Sequence, residues 1–216
     1  MGYFWYGSWN YFELVPAGSA TPGGIAFISR IKTHMEAWFV SREGFVEGIY
    51  FYDDGKGWRR YRLRPNGSAA LGTKISALSR APSHMELWWI SPRGSVEATF
   101  WYDHGSNWRL YQLAPPGRAV AKSGLTSVSK EPRAMKVWWV APNGSIHGLY
   151  LWDVPKWNQY SLPGSRYQLA GEGSASLTWG IGALHRNQDT EKIFWITPIG
   201  GPIDAYWYSG MTSWGV

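Results

Sequence analysis

Sixteen tryptophans stand among the 216 residues, and three of them recur beside acids at nearly constant spacing. Trp58 and Trp108 each lie five residues beyond an aspartate, Asp53 and Asp103, and Trp157 lies four beyond Asp153. Arg30, Arg80, Lys130 and Arg186 recur in the same way, as do two glutamate pairs, Glu36 with Glu86 and Glu47 with Glu97. An indole face stacks on apolar C–H surfaces, while guanidinium and carboxylate groups bracket neighbouring hydroxyls. The candidate ligand-binding residues are therefore Trp58, Trp108, Trp157, Glu47, Glu97, Glu36, Glu86, Arg30 and Arg80, and the ligand they suit is polyhydroxylated. A second reading competes for the tryptophans: in a repeated chain, a residue that returns once per repeat serves packing between repeats as readily as binding. Trp38, Trp88 and Trp138, with Trp89, Trp139 and Trp195, read as core, because they lie in runs that are apolar on both faces.

Other chemistries are poorly served. His34 and His84 occupy matching positions with no second ligand at metal-site spacing, and the later copies carry Ala134 and Thr190, so no metal site is expected. A glycosidase needs one pair of carboxylates flanking one bond, whereas the acids here return copy by copy. No Asp box, Gly-x-Ser-x-Gly elbow or His-Glu-x-x-His motif occurs, and the expectation is a protein without enzymatic activity or cofactor. The absence of cysteine excludes disulfides and thiolate metal sites. A net charge of +6 suits acidic surfaces such as sialylated glycans, anionic lipid or nucleic acid. The run Arg59, Arg60, Arg62, Arg64 belongs to one copy, however. Its counterparts Arg109-Leu110-Tyr111-Gln112 and Asn158-Gln159-Tyr160-Ser161 are nearly neutral, and nucleic acid is not an expected partner. No apolar run reaches the roughly eighteen residues of a membrane span. Residues 1–20 lack the pattern of a signal peptide, and the compartment stays open.

The spacing that aligns these residues is a repeat. Ser29-Arg30 … His34-Met35-Glu36-Ala37-Trp38-Phe39-Val40 returns as Ser79-Arg80 … His84-Met85-Glu86-Leu87-Trp88-Trp89-Ile90, then as Ser129-Lys130 … Met135-Lys136-Val137-Trp138-Trp139-Val140. Met35, Met85 and Met135 mark a period of 50 residues, the length of a propeller blade. A looser fourth copy, His185-Arg186 … Lys192-Ile193-Phe194-Trp195-Ile196, is displaced by six residues, an insertion that the sequence places near 164–173. Each unit parses into four strands. The first is short and aliphatic, from Ile25, Ile75, Leu125 or Ile181; the second is the tryptophan-rich segment. A Gly-containing turn leads to the third, from Val46, Val96, Ile146 or Ile203. The fourth opens at Trp58, Trp108 or Trp157 and places Tyr61 and Leu63, Tyr111 and Leu113, or Tyr160 and Leu162 on one face. This predicts an all-β fold, one domain over 1–216: a small β-propeller of four-stranded blades, with a partial unit at 1–24 and units at about 25–74, 75–124, 125–180 and 181–216. Four blades are expected if Trp9–Leu14 completes the C-terminal blade; five blades, or a larger ring completed by a second copy as a homo-oligomer, are the alternatives.

The pattern Met85-Glu86-Leu87-Trp88-Trp89-Ile90, a turn at Gly94-Ser95, Val96-Glu97-Ala98-Thr99-Phe100-Trp101-Tyr102 and then Asn107-Trp108 resembles the blade repeat of fucose-lectin-type propellers, the Aleuria-like fungal and Photorhabdus-like bacterial lectins. The resemblance implies a multivalent carbohydrate-binding lectin with shallow pockets between neighbouring blades, whose partners are glycans with fucose or other monosaccharide termini. Such weak, equivalent sites act by avidity. Aleuria-like pockets combine an Arg on the second strand, a Glu on the third and an aromatic platform. Here the second-strand position holds Glu36, Glu86, Lys136 and Lys192. The third-strand position holds Gly48, Ala98, Gly148 and Ala205, with Glu47, Glu97, His147 and Asp204 one residue earlier, so the Arg–Glu pair is absent at these places. A propeller that binds a protein partner across its ring face is the alternative function.

Overall fold

The computed structural model describes residues 2–5, 7–103, 107–152 and 166–216, and every regular element among them is a strand. A hairpin of β1 (Gly2–Trp5) and β2 (Trp9–Phe12) comes first. Three four-stranded antiparallel sheets follow: β3 (Ala20–Ile31), β4 (His34–Ser41), β5 (Val46–Tyr52) and β6 (Arg59–Arg64); β7 (Ser76–Ala81), β8 (His84–Ile90), β9 (Val96–Tyr102) and β10 (Arg109–Ala114); β11 (Leu125–Glu131), β12 (Ala134–Val140), β13 (Ile146–Trp152) and β14 (Arg166–Ala170). The last sheet has three strands, β15 (Ile181–Asn187), β16 (Thr190–Ile196) and β17 (Pro202–Tyr208). Within each sheet the strands run in chain order, and the first strands β3, β7, β11 and β15 lie side by side. These are consecutive propeller blades around a common axis. Small hydroxylated residues let the inner strands crowd there: Ser76 and Ser127 share a hydrogen bond of 2.7 Å, and Thr126 Oγ1 accepts one from the Ala183 amide at 3.0 Å.

The core lies between sheets. Ala26, Trp38, Val40, Val46 and Leu63 from the forward face of the first sheet meet Met85, Leu87 and Trp89 from the rear face of the second. Trp88, Ile90, Val96 and Leu113 meet Met135, Val137 and Trp139 in the same way, and Trp138, Val140 and Ile146 meet Ile193 and Trp195. Because β8 and β12 are apolar at consecutive positions, each supplies an indole to both of its junctions, which is why their runs show no alternation. All six of the core tryptophans anticipated from the sequence are 0–2% exposed. On the rear faces the indole N–H groups of Trp89, Trp139 and Trp195 donate to the carbonyls of Ser68, Arg118 and Ser174 at 2.9, 3.1 and 3.1 Å. Phe194 holds the place of Trp38, Trp88 and Trp138 in the last sheet and is 39% exposed, with no further sheet among the described residues to cover it.

Two expectations are corrected. The fourth strand of the third sheet is β14, with Gln168 opposite His147 as Gln112 is opposite Glu97. The six extra residues therefore precede this strand, between β13 and β14, and the expected strand with Tyr160 and Leu162 lies outside the described residues. Nor does Trp9–Leu14 complete the last sheet. β2 pairs with β1, Phe12 stacks on Trp58 at 6.1 Å, and Leu14 and Val15 pack against Phe39 and Ile49 of the first sheet. The free edge of β17 takes a bridge between Tyr206 and Gly215 instead. Since the junction indoles hold neighbouring sheets together, Trp88→Ala should destabilise the fold by about 3–5 kcal/mol, seen as a lower urea midpoint with an unchanged slope.

Candidate functional site

Strand direction divides the molecule into two rims. The turn from first to second strand and the loop from third to fourth make one, the loop rim. The tight turn from second to third strand and the links between sheets make the other, the hairpin rim. The predicted site residues do not converge: Arg30, Arg80, Glu36, Glu86, Trp58 and Trp108 belong to the loop rim, whereas Glu47 and Glu97 begin the third strands at the hairpin rim.

At the loop rim, Arg30 reaches from the end of β3 across the first junction. Its Nη1 donates to the Pro82 carbonyl at 2.7 Å and to Asp103 Oδ1 at 3.0 Å, and Nη2 donates to the Tyr52 hydroxyl at 2.6 Å. The guanidinium lies 4.7 Å from the centre of the partly exposed Trp101 ring. Arg80 repeats the reach one blade on, donating to the Pro132 carbonyl at 2.8 Å and to Tyr102 at 3.5 Å. Leu151 stands there in place of Trp101. At the third junction the pairing returns, with Lys130 Nζ 4.4 Å from the ring centre of Trp207. Arg30 and Lys130 each span two sheets and fix an indole at the rim, an attraction that partial burial strengthens. Trp101 and Trp207 were not singled out from the sequence; the signal available was their position one residue before Tyr102 and Tyr208. Trp108 meets Trp38 edge-on at 5.9 Å, and Trp58 packs between Phe12 and Phe51, so both contribute to junctions while remaining partly exposed. Trp157 lies outside the described residues.

Below this rim runs a layer of buried polar groups. Glu36 accepts the Tyr61 hydroxyl proton, and Tyr61 in turn accepts from the Trp38 indole N–H at 2.8 Å. Burial and the neighbouring Glu36 hold the Tyr61 phenol well above its ordinary range. The phenol ring lies over Gly48, where a Cβ would run into it as the two side chains stand; in the second sheet Ala98 holds the equivalent place opposite Tyr111. In the second sheet Tyr111 donates to Glu86 Oε2 at 2.6 Å, and His84 Nε2 sits 2.9 Å from Glu86 Oε1. Burial pushes the Glu86 carboxyl up to about 8 and the His84 imidazole down to about 3, the positive Arg80 adding to the latter. At pH 7 the pair is therefore neutral rather than an ion pair. In the third sheet Lys136 takes the glutamate position and pairs with Glu191, which replaces the methionine facing Glu36 and Glu86 across their junctions.

At the hairpin rim a cleft opens at each junction. The first, about 340 Å³, is lined by Arg64, Trp89, Ser91, Arg93, Glu97 and Gln112, among others. The second, also about 340 Å³, has Arg118, Trp139, Asn143 and His147; the third, about 660 Å³, is largely apolar, with Trp195, Ile199 and Ile203. Among the described residues no cluster of three or more His, Cys, Asp or Glu could hold a metal, and no helix is long and apolar enough to cross a membrane.

The buried pair gives stability a defined pH dependence. Glu86 binds its proton in the folded state up to about 8, against an ordinary 4.5, so stability falls as pH rises through that window. His84 stays neutral down to about 3 against 6.5, so stability falls as pH drops through that lower window. The two slopes oppose each other where the windows overlap and the glutamate acts alone above it. Unfolding by urea should show a loss of about 2 kcal/mol between roughly pH 6.5 and 8, and Glu86→Gln should abolish that slope.

No protein-family model matches the chain, and no curated protein is significantly similar to it in sequence. Solved structures are similar in fold. The BP39L lectin from Burkholderia pseudomallei superposes with a TM-score of 0.82 at 14% identity, over 97% of this chain and 59% of that one. A variant of the Aleuria aurantia lectin, in complex with Fucα1-6GlcNAc, gives 0.68 at 18% identity over 93% of this chain and 64% of that one. A further structure of the Aleuria aurantia lectin, described as a six-bladed β-propeller with a novel fucose recognition mode, gives 0.59 at 16% identity over 89% of this chain and 60% of that one. The chain thus spans 59–64% of the length of these lectins and shares their β-propeller fold.

Proposed function

We propose that the chain is a non-enzymatic, carbohydrate-binding propeller that engages clustered glycans through the blade junctions of its loop rim. The observation that carries this reading is the cation held over a partly exposed indole at alternate junctions, Arg30 over Trp101 and Lys130 over Trp207. Such a ring has one face taken by the cation and is locked in position, ready to stack on the C–H face of a sugar without losing side-chain freedom on binding. Beside Trp101, Asp103 is ordered by Arg30 yet 39% exposed at its side chain, an acceptor placed for hydroxyls. Single sites of this kind are shallow and weak; two on one rigid rim raise binding to a clustered surface through effective concentration. The likeness to lectins that are themselves sugar-bound supports the reading.

The test is a glycan array with agglutination of red cells. Trp101→Ala and Trp207→Ala should each weaken binding to clustered glycans by about tenfold or more, and the double variant should lose agglutination, with unchanged circular dichroism. Silence of the wild-type chain across the array, with a protein partner recovered instead, would reject the proposal.

A further inference from the structure

We infer that the cleft at the hairpin rim between the first and second sheets is a second, single sugar site, built for a neutral pyranose with vicinal hydroxyls. The proposal is separate from the loop-rim sites, although both take the same class of ligand. Its parts come from three strands. Trp89, 1% exposed, makes the floor, its N–H committed to the Ser68 carbonyl. Glu97 lies on β9 with Oε1 accepting both the Ser95 hydroxyl at 2.6 Å and the Gln112 amide at 2.9 Å. Those bonds orient the carboxylate and leave Oε2 without a hydrogen-bond partner among the described residues. A register shift in β6 sets Arg64 opposite Val46, on the face turned toward the second sheet. Arg64 lines the cleft, where its one hydrogen bond among the described residues is a long one, 3.4 Å, from Nη2 to Thr99 Oγ1. Its Nε is buried with no partner among the described residues. Arg93 also lines the cleft.

An oriented acceptor oxygen and an under-used guanidinium are what two adjacent hydroxyls require, and the packed Trp89 beneath gives the cleft a rigid apolar base. A volume of about 340 Å³ stands at the small end of ligand pockets, which suits one or two sugar rings. Glu97 repels an acidic group brought within reach of Oε2, and Arg64 and Arg93 repel an ammonium, so a neutral ring is favoured over an acidic or amino sugar.

The same place fails elsewhere around the molecule for identifiable reasons. Glu47, the counterpart of Glu97, is engaged by the Arg60 guanidinium, while Arg62 is drawn 3.6 Å over Phe45. In the second sheet Leu110 and Gln112 occupy those two positions and leave Glu97 available. At the second junction Ala114 replaces Arg64, and His147 replaces Glu97 and stacks on Trp139 at 6.4 Å. At the third, Ala170 and Ile203 leave no polar pair at all: the expected counterpart Asp204 is displaced by one, since Ile203 is opposite Trp195 as Glu97 is opposite Trp89, and Asp204 takes the place of Ala98.

Two-dimensional ¹H–¹⁵N NMR of the full chain, titrated with methyl glycosides of fucose, mannose and galactose, tests the assignment. At least one glycoside should give saturable shifts of the Trp89 indole N–H and the Gly94 amide. Glu97→Gln and Arg64→Met should each weaken that response by about tenfold or more, the worth of one charge-assisted hydrogen bond, while the Trp101 and Trp207 indole signals keep theirs. The proposal is overturned if Trp89 and Gly94 respond equally in the variants, or respond only to sialic acid or glucosamine. It is also overturned if only the Trp101 and Trp207 signals move, an outcome that leaves the loop-rim reading standing. A spectrum in which no signal moves at either rim removes both.

Discussion

Contact of one sheet's forward indole with the rear face of the next is the interaction on which this structure rests. The sequence has no cysteine to form a disulfide, and a four-stranded sheet alone leaves two apolar faces in water. Trp38, Trp88 and Trp138 close the forward faces, while Trp89, Trp139 and Trp195 close the rear ones. A tryptophan buried to this degree removes about 150–250 Å² from water, on the order of 4–6 kcal/mol before entropy is charged against it. Stability is consequently a property of junctions rather than of sheets, as in other repeat architectures. Whatever decorates a rim sits on top of these contacts and inherits their rigidity.

Polar residues in the junctions obey the same constraint in a different currency. Glu36 and Glu86 have Met85 and Met135 at the repeat position where Glu191 answers Lys136, and each is paired within its own blade, with Tyr61 or Tyr111 and with His34 or His84. Where Lys136 replaces the acid, the neighbouring sheet answers with Glu191. The two solutions are not interchangeable. A lysine facing Met85, or a glutamate facing Glu191, would leave a buried charge uncompensated, which costs far more than a lost surface pair. This layer thereby constrains which blade stands beside which, even though all share one backbone plan.

The architecture was readable because junction residues are apolar on both faces and recur every 50 residues, a pattern that solvent-facing positions do not blur. The third fourth-strand was misplaced because Tyr160-Ser161-Leu162 imitates the spacing of Tyr111-Gln112-Leu113, although Tyr167-Gln168-Leu169 matches it more closely. Pairing decides between them: only the later segment sets Gln168 against His147. The candidate list mixed two rims because recurrence says that residues are equivalent, not that they are close. Glu97 follows the tight turn by one strand position and Arg80 precedes the opposite turn, so antiparallel geometry alone separates them. Trp101 was passed over because Trp108 carried the more conspicuous neighbouring acid.

Divergence within the repeat is where recognition is decided, because conserved junction contacts leave the rims free to vary. Four third-strand positions show this: Glu47, Glu97, His147 and Ile203 begin equivalent strands, yet one is consumed by an arginine, one is left with an open oxygen, one stacks on an indole and one is apolar. For Glu47 and Glu97 the outcome follows from two side chains on the adjacent fourth strand, Arg60 and Arg62 against Leu110 and Gln112. A fold that fixes its backbone by stacking identical modules can therefore alter one pocket without disturbing the rest, and a chain of near-identical blades can carry several unlike surfaces.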